Sequence, residues 1–195
     1  MKEMDQPGLF DTGAPALPEG FKYQPELISP DEEQQLVQQI ETLPLRVFDF
    51  QRFVGKRRVV SFGWRYDFNE RELQKADDVP PFLLLLRQRA AEFAGLGPTD
   101  LQHVLVTEYG PGAAIGWHRD KAVFDQVVGV SLLSPCRFRF RRERGGGKWE
   151  RASMTLQPRS AYLLAGPSRT EWEHSILAVE RLRYSITFRS FHASK

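Results

Sequence analysis

The second half of the chain is a series of short strand-like segments, and this feature limits the fold more than any other. The segments are rich in β-branched and aromatic residues, several alternate apolar with polar residues, and glycine or proline turns separate them. Many short, closely spaced strands are typical of a barrel or a jelly roll. The predicted strands are Leu101–Tyr109, Ile115–His118, Val127–Leu133, Arg137–Arg142, Glu150–Leu156, Ala161–Leu164, Glu173–Ile176 and Arg183–Phe191.

Two helices are predicted ahead of these strands. The run Ser29-Pro30-Asp31-Glu32 has the pattern of a capping box with proline at the first helical position, and Pro44 ends this helix. Pro80-Pro81 opens a second helix, which glycines at 95 and 97 close. Its expected buried side consists of Phe82, Leu85, Leu86, the stem of Arg89, Phe93 and Leu96.

The length of 195 residues suits one domain behind a leader. Residues 1–21 are rich in proline and glycine and are predicted to be mobile. Residues 22–195 are predicted to be a single domain, with irregular strands and loops at about 45–68 and a jelly-roll core at about 100–191. The single cysteine, Cys136, argues against a disulfide framework and a multi-cysteine zinc site.

The charge of the chain is divided unevenly. Residues 1–45 carry two basic and nine acidic side chains, whereas the remainder has a net charge of +9. A basic body suggests a polyanionic partner, most simply nucleic acid, although the same pattern also serves solubility alone. No apolar run reaches the ~18 residues of a membrane helix. The chain does not begin like a signal peptide, so we expect a cytoplasmic protein in a reducing compartment.

The tripeptide His118-Arg119-Asp120 places two ligand-type side chains two residues apart on a predicted strand. Residues i and i+2 of a strand point the same way, so the imidazole and the carboxylate face one point. His174, on a distant strand, is the expected third ligand, and the set matches the facial triad of non-haem Fe(II) oxygenases. A surface hydrogen-bonding pair and a site for zinc, manganese or cobalt are the alternatives. His103 and His192 lack such a carboxylate and are interpreted as structural or incidental.

Two arginines on the last predicted strand suggest an acidic co-substrate. Arg183 and Arg189 are six residues apart and therefore lie on one face of the strand. Arginine presents a planar fork that matches a carboxylate. A co-substrate with one carboxylate on the metal and another on Arg183 would be a dicarboxylic 2-oxo acid. The alternative is that both arginines decorate a solvated strand face.

These motifs closely resemble those of the AlkB family of Fe(II)- and 2-oxoglutarate-dependent dioxygenases, over roughly residues 45–191. In order, they are Tyr109-Gly-Pro-Gly, His118-x-Asp120, Gly166-Pro-Ser-Arg169, His174 and Arg183-Tyr-Ser-Ile-Thr-Phe-Arg189. The resemblance implies a double-stranded β-helix, which is a jelly roll of eight strands, backed by the two helices. It also implies an N-terminal nucleotide-recognition lid.

The resemblance implies a role for each motif residue. The catalytic and metal ligands would be His118, Asp120 and His174. Arg183 would clamp the distal carboxylate of 2-oxoglutarate, Tyr109 would hydrogen-bond the same co-substrate, and Arg189 would lie near its other end or near the substrate. With Fe(II) and O2, the implied reaction is oxidative dealkylation of N-alkylated bases in DNA or RNA, a direct-reversal repair.

Three positions depart from the family's pattern. Thr107 and Ser185, in the 2-oxoglutarate site, stand where the family often has asparagine, and Ala122 stands where some repair members carry an acid that contacts the base. The iron and 2-oxoglutarate assignments survive these changes, but a methylated-adenine substrate is less well supported. Two alternatives stay open: the same iron chemistry on a tRNA modification or a protein side chain, and a nucleic-acid-binding module with a vestigial metal site.

The segment from Arg46 to Arg65 interleaves basic and aromatic residues, and in AlkB-like proteins it corresponds to the lid. Cations neutralise phosphates, while flat rings stack on bases. We expect Trp64, Tyr66 or Phe68 to stack on the target base opposite His118, although the same alternation fits core packing. The predicted substrate-binding residues are Phe62, Trp64, Tyr66, Phe68, Arg57 and Arg58.

Two further segments concern partners. The arginines of residues 137–144 offer a second track for phosphates, or form an ordinary solvated hairpin. The peptide Gln6-Pro7-Gly8-Leu9-Phe10 resembles the Q-x-x-L-F peptide that docks on bacterial sliding clamps, with a plain disordered tail as the alternative. We expect a monomer.

Overall fold

The structure, a computed structural model, describes residues 16–50, 53–67 and 72–192. The helices are α1 (Pro30–Ile40), α2 (Pro81–Ala94) and the short α3 (Pro167–Thr170), and a 3-10 turn covers Pro98–Asp100. The strands are β1 (Phe21–Gln24), β2 (Arg46–Phe50), β3 (Phe53–Phe62), β4 (Trp64–Asp67), β5 (Glu72–Lys75), β6 (Leu101–Tyr109), β7 (Ile115–His118), β8 (Phe124–Leu132), β9 (Cys136–Glu143), β10 (Trp149–Leu156), β11 (Ala161–Leu164), β12 (Glu173–Ile176) and β13 (Arg183–Phe191). The clamp-like peptide Gln6–Phe10 lies outside the described residues.

The strands form two main antiparallel sheets that pack face to face. The larger sheet has the order β1-β11-β8-β13-β6-β3-β2, and the smaller sheet has the order β10-β9-β12-β7. Strands β4 and β5 form a separate hairpin. This confirms the predicted jelly roll, in which neighbours in space are far apart in sequence.

Three layers follow from the alternation of side chains along the strands. Val104 and Val106 of β6 and Ile186 of β13 point to one side of the larger sheet, where they pack against α1 and α2. The intervening residues of both strands point to the other side, toward Phe138 and Phe140 of the smaller sheet. The functional residues of β6 and β13 therefore line the space between the two sheets.

The helices follow their predicted boundaries closely. Ser29 and Glu32 form the reciprocal capping box, with the Glu32 amide donating to Ser29 Oγ at 3.2 Å. Helix α1 ends at Ile40, before the predicted stop at Pro44. Helix α2 ends at Gly95, whose φ of 74° is the left-handed conformation that favours glycine.

The buried side of α2 differs from the prediction. Its buried residues are Leu83, Leu86, Ala90 and Ala91, whereas Leu85 is 58% exposed. The prediction followed the largest apolar residues. In the structure, the small Ala90 and Ala91 face inward, and their size lets the helix backbone lie close to the sheet.

The segment at 45–68 is more regular than predicted. Strand β3 has ten residues and pairs with β6, with Arg57 opposite Tyr109, so that it extends the larger sheet. This pairing depends on an available edge of β6, which local composition does not reveal. Strand β1 also begins within the predicted leader, at Phe21, because β11 offers it an edge. In the described part of the chain, no helix has both the length and the apolarity needed to cross a membrane.

Candidate metal centre

The three predicted ligands lie together at one end of the space between the sheets. Strands β7 and β12 pair so that His118 is directly opposite His174, and Asp120 follows two residues after His118. One ligand atom of each residue lies within 4.8 Å of the others. The two imidazole rings have centroids 4.2 Å apart, and His174 Nε2 is 3.6 Å from Asp120 Oδ2. The structure thus brings the predicted triad together.

A hydrogen bond to His118 and the burial of His174 prepare the two imidazoles to act as ligands. His118 Nδ1 lies 2.9 Å from the Gly116 carbonyl oxygen, which can only accept. Nδ1 therefore carries the proton, and Nε2 keeps a free lone pair for a metal. Burial, followed by the proximity of the His118 ring, lowers the pKa of His174 to about 3. His174 is consequently neutral at physiological pH, as a ligand must be.

Arg189 holds the carboxylate of Asp120. Arg189 Nε donates to Asp120 Oδ1 at 2.9 Å, and its Nη2 lies 2.8 Å from the same oxygen, which leaves Oδ2 facing His174. Burial acts to raise the pKa of Asp120, but Arg189 and the two histidines keep it below its ordinary value. The resemblance placed Arg189 near 2-oxoglutarate or substrate. In the structure its hydrogen bonds hold a predicted iron ligand, Asp120, and a contact with 2-oxoglutarate or substrate stays a prediction.

His103, interpreted from the sequence as structural or incidental, lies behind Arg189. Its Nδ1 is 3.3 Å from Arg189 Nη1, and its ring centroid is 4.9 Å from that of Phe124. Burial, with the charge of Arg189, lowers the pKa of His103 well below its usual range, so the ring is neutral. Because an arginine only donates, Nδ1 of His103 is the acceptor.

A buried arginine of α3 holds the loop that follows Asp120. Arg169 Nη2 donates to the carbonyl oxygens of Lys121 at 2.5 Å and Phe124 at 2.7 Å. Sequence analysis noted Arg169 only as part of a motif and assigned it no function. Its position shows that it orders the backbone between Asp120 and β8.

Arg183 lies deeper between the sheets and is fully buried. Its Nε donates to Ser131 Oγ at 3.1 Å, and its guanidinium carbon lies 4.8 Å from the centre of the Tyr109 ring. Among the described residues, neither Nη1 nor Nη2 has a hydrogen-bond partner. A buried guanidinium without a counter-ion is costly, so the geometry fits an anionic ligand at these two atoms.

The other predicted co-substrate residues surround the same space. Tyr109, Thr107 and Ser185 are buried on the inward side of β6 and β13, and Ser185 pairs with Thr107 and with Ser131. Ser131 was missed because its role depends on this pairing. Directly opposite residues of neighbouring strands share a face, so only the register of β8 against β13 reveals it.

Tyr162 was also missed and forms part of the wall. Its ring lies 4.9 Å from Phe138, and burial, with the neighbouring Tyr109 phenol, raises its pKa above the ordinary range. A Cβ at Gly129 would lie 2.2 Å from this ring, so the position of Tyr162 requires glycine there.

The predicted substrate residues are divided between the two faces of β3. Arg57 pairs with Tyr109 and shares its inward face, whereas Arg58 points the other way and contacts Glu108 at 2.6 Å. Phe62 is buried in the core beneath the helices. Strand alternation turns Arg58 and Phe62 away from the inter-sheet space, so this geometry gives no support to their predicted substrate contacts.

The predicted stacking residues have different outcomes. Trp64 packs edge-on against Phe191 with centroids 5.9 Å apart, and Phe191 stacks on Phe124 at 5.5 Å. Trp64 therefore contacts Phe124, the ring that lies beneath Arg189, through Phe191. The side chain of Tyr66 and all of Phe68 lie outside the described residues.

The donor set fits a divalent transition metal and an acidic co-substrate. Two imidazoles and one carboxylate suit Fe(II), and three protein ligands leave coordination positions free for other ligands. The unpartnered nitrogens of Arg183 fit a carboxylate in the same inter-sheet space. Fe(II) with 2-oxoglutarate satisfies both observations.

Comparison with known proteins gives matches over most of the chain. The sequence profile of the 2OG-Fe(II) oxygenase superfamily matches residues 20–189. The "Alkylated DNA repair protein ALKBH8 homolog" of Arabidopsis thaliana is 27% identical over an alignment of 199 residues. This alignment covers 89% of our chain and 52% of that protein. The mouse "tRNA (carboxymethyluridine(34)-5-O)-methyltransferase ALKBH8" is 28% identical over 172 residues, which cover 84% of this chain and 25% of that protein.

A solved structure shows the same fold. The structure of OsALKBH1 aligns with a TM-score of 0.71 at 15% identity, over 90% of this chain and 99% of that one. This likeness supports the double-stranded β-helix. The chain spans only about half of the Arabidopsis relative and a quarter of the mouse relative.

Proposed function

The chain belongs to the 2OG-Fe(II) oxygenase superfamily and to its AlkB branch, and from this premise we propose that it oxidatively dealkylates N-alkylated bases in nucleic acid. The observation that carries the proposal is the pairing of two features in one inter-sheet space. One is the His118–Asp120–His174 cluster, and the other is the buried Arg183, two of whose nitrogens have no partner among the residues that the structure describes. Together they accommodate Fe(II) and the two ends of 2-oxoglutarate.

Each residue around the co-substrate has a task. Arg183 would bind the distal carboxylate through Nη1 and Nη2, while Ser131 Oγ accepts from its Nε and holds the guanidinium in place. Tyr109 supplies a hydroxyl to the same ligand, and Thr107 and Ser185 line the wall between Arg183 and the metal. Arg189 holds one oxygen of Asp120 and thereby orients the other toward the metal.

When bound, Fe(II) supplies the activation of O2 that allows an unreactive N-alkyl carbon to be oxidised. The protein's own contribution is orientation and exclusion of water. The apolar wall formed by Phe138, Phe140 and Tyr162 closes the space behind the ligands. The oxidised alkyl group then leaves as an aldehyde and restores the normal base.

A nucleic-acid substrate is supported by charge and by the relatives. The chain beyond residue 45 has a net charge of +9, and Arg57 shares the inward face with Tyr109. Trp64 lies on the same wall as the ring beneath Arg189, where it can stack on a base held near the metal. The names of the relatives include both a DNA repair protein and a tRNA-modifying enzyme.

A second substrate is favoured by one specific observation. The mouse relative is named for carboxymethyluridine at position 34 of tRNA. The matching part of our chain has Ala122 where some repair members carry an acid that contacts the base. Hydroxylation of a wobble-uridine modification in tRNA is therefore the alternative for the same site.

The deciding experiment follows product masses. The purified protein is incubated with Fe(II), 2-oxoglutarate and O2, and with oligonucleotides that carry 1-methyladenine, 3-methylcytosine or ethenoadenine. Unmodified oligonucleotide and bulk tRNA serve as parallel substrates, and succinate is measured throughout. We expect a 2-oxoglutarate-dependent loss of mass that restores the normal base.

Each other result points elsewhere. A gain of 16 Da in tRNA nucleosides, without repair of any oligonucleotide, would replace dealkylation by tRNA hydroxylation, because oxygen insertion without loss of a group adds one oxygen atom (about 16 Da). Succinate formed without either product would direct the search to protein substrates. Neither succinate nor product, from protein with metal bound, would favour a binding module with a vestigial site.

A further inference from the structure

The outward side of the smaller sheet carries arginine and tryptophan side chains that the site does not use. Phe138 and Phe140 of β9 point inward to the core, so the residues between them point outward. Neighbouring strands add tryptophan on β7 and β10 and one more arginine on β10. We call this surface the arginine–tryptophan face; it consists of Trp117, Arg137, Arg139, Arg141, Trp149 and Arg151.

The guanidinium groups of this face are ordered by stacking. Arg141 lies between two indoles, 4.6 Å from the centre of Trp117 and 4.6 Å from that of Trp149. Arg139 lies 4.7 Å from the centre of Trp117. Their Nε atoms donate to Glu173 Oε2 at 2.6 Å and Ser175 Oγ at 3.0 Å, respectively. Because the planes are fixed in advance, a ligand loses less side-chain entropy on binding them.

The positive charge of the face is largely uncompensated. Within the described residues, no carboxylate lies within 4.0 Å of Arg137, Arg139 or Arg151, and Arg137 donates only to Ser153 Oγ. Glu173, bound to Arg141, and the exposed Glu143 are the acids on this side of the sheet.

Arginines elsewhere on the same hairpin are neutralised. Arg142 contacts both Glu150 and Glu171, and Arg144 contacts Glu150. The hairpin therefore does not carry an even coat of solvated cations. Its unpaired arginines are gathered on the outward side, together with the two indoles.

We infer that the arginine–tryptophan face binds a single nucleic-acid strand and leads it to the metal centre, an inference that rests on the proposed function. Arg137, Arg139 and Arg141 repeat every second residue of one strand, at about 7 Å, so that they follow an extended polyanion. Each fork binds phosphate oxygens, and the partly exposed indoles of Trp117 and Trp149 offer apolar contacts to unpaired bases. A duplex keeps its bases stacked internally and cannot use the indoles.

The position of β7 connects this face with the site. Strand β7 lies at the edge of the smaller sheet, next to β12. Trp117 points outward from it, and the adjacent His118 points inward to the ligand cluster. A strand that crosses this edge therefore passes from the arginines to the metal centre within the width of one β-strand.

The test measures binding of a labelled single-stranded dT20 oligonucleotide to the full chain as a function of KCl. Variants Arg137→Gln and Arg139→Gln each remove one charge from the face. Lys22→Gln is the matched control, because Lys22 is exposed on β1 and points away from the smaller sheet. Thermal melting establishes that each variant is folded.

We expect each arginine variant to weaken binding about 3- to 10-fold at 0.1 M KCl and to lower the slope of log K against log[KCl] by about 1. Lys22→Gln should change affinity by less than about 2-fold. Equal effects of all three variants would overturn the inference, as would equal competition by a duplex of the same length. A folded Arg139→Lys variant should keep the slope, since it keeps the charge.

Failure of this inference is separable from failure of the proposed function. The function is read from oxidation products of the unaltered chain, whereas the face is read from binding alone. If the unaltered chain oxidises bases but Arg137→Gln and Arg139→Gln bind dT20 normally, the inference about the arginine–tryptophan face is rejected and the proposed function stands. If both variants bind dT20 more weakly but the unaltered chain forms no oxidation product, the inference about the face stands and the proposed function is rejected.

Discussion

The arginines between the two sheets and those outside the smaller sheet share a residue type but differ in what surrounds them. Within the described residues, Arg183 is fully buried with two nitrogens that have no hydrogen-bond partner, whereas Arg189 contacts both Asp120 and His103. Arg139 and Arg141 lie against indole rings at the surface and still reach solvent. Because Arg183 is buried, its loss should strongly weaken the binding of one ligand, whereas each surface arginine contributes a smaller share of the binding of a long polyanion.

The largest effect is expected at the carboxylate that joins an interior arginine to the metal. Asp120→Ala removes a ligand and leaves the charge of Arg189 uncompensated beside the metal position. We expect succinate production to fall more than about 1,000-fold, together with loss of tight Fe(II) binding. Both are measured on protein of unchanged secondary structure. Activity within 10-fold of the unaltered chain would refute the assignment.

The next effect tests the free nitrogens of the buried arginine. Arg183→Gln should raise KM for 2-oxoglutarate about 10- to 100-fold, because a charge-assisted hydrogen bond contributes about 1.5–3 kcal/mol. Ser131→Ala, which releases only Nε of Arg183, should raise the same KM by a smaller factor. Steady-state succinate assays give both values. An unchanged KM in Arg183→Gln would mean that the co-substrate binds elsewhere.

A smaller effect should separate two neighbouring arginines of β3. Arg57 faces the site, whereas Arg58 faces the other way and is half-exposed beside Glu108. Arg57→Gln should raise KM for the oligonucleotide about 3- to 10-fold, and Arg58→Gln should leave it within about 2-fold. Each variant removes one positive charge. Equal effects on KM would therefore show that the net charge of the protein, and not the direction in which the side chain points, determines oligonucleotide binding.

The smallest effect on turnover is expected from the acidic leader. Removal of residues 1–12 should leave kcat and KM within about 2-fold, because the predicted docking peptide Gln6–Phe10 contributes no ligand or co-substrate residue. It should abolish binding to a purified bacterial sliding clamp, measured by surface plasmon resonance. Clamp affinity that survives the truncation would reject the docking prediction.

Much of the architecture could be predicted because it depends on local sequence patterns. Strands β6, β7, β11, β12 and β13 have the predicted boundaries, since alternation and glycine or proline turns mark both ends. The capping box at Ser29 and the stop at Gly95 were also readable. The ligand triad followed from the two-residue spacing of His118 and Asp120 and from the strand context of His174.

The residues that sequence analysis missed depend on contacts between distant strands. Ser131 gains its role from the register of β8 with β13, and Arg169 from the packing of α3 on the loop before β8. Sequence composition also does not say which face of β3 is inward, so it could not show that Arg58 and Phe62 point away from the site. Nothing local to Arg189 shows that its partner is Asp120, 69 residues earlier.

The direct pairing of His118 with His174 has a consequence for the durability of the molecule. Strand β7 has four residues and hydrogen-bonds to a single neighbour, β12, so it is the most easily detached part of the smaller sheet. A metal held by both histidines would cross-link the two strands, and its binding free energy would stabilise their pairing. Resistance to proteolysis would then follow the iron supply, so that the cofactor determines how long the protein survives as well as what it catalyses.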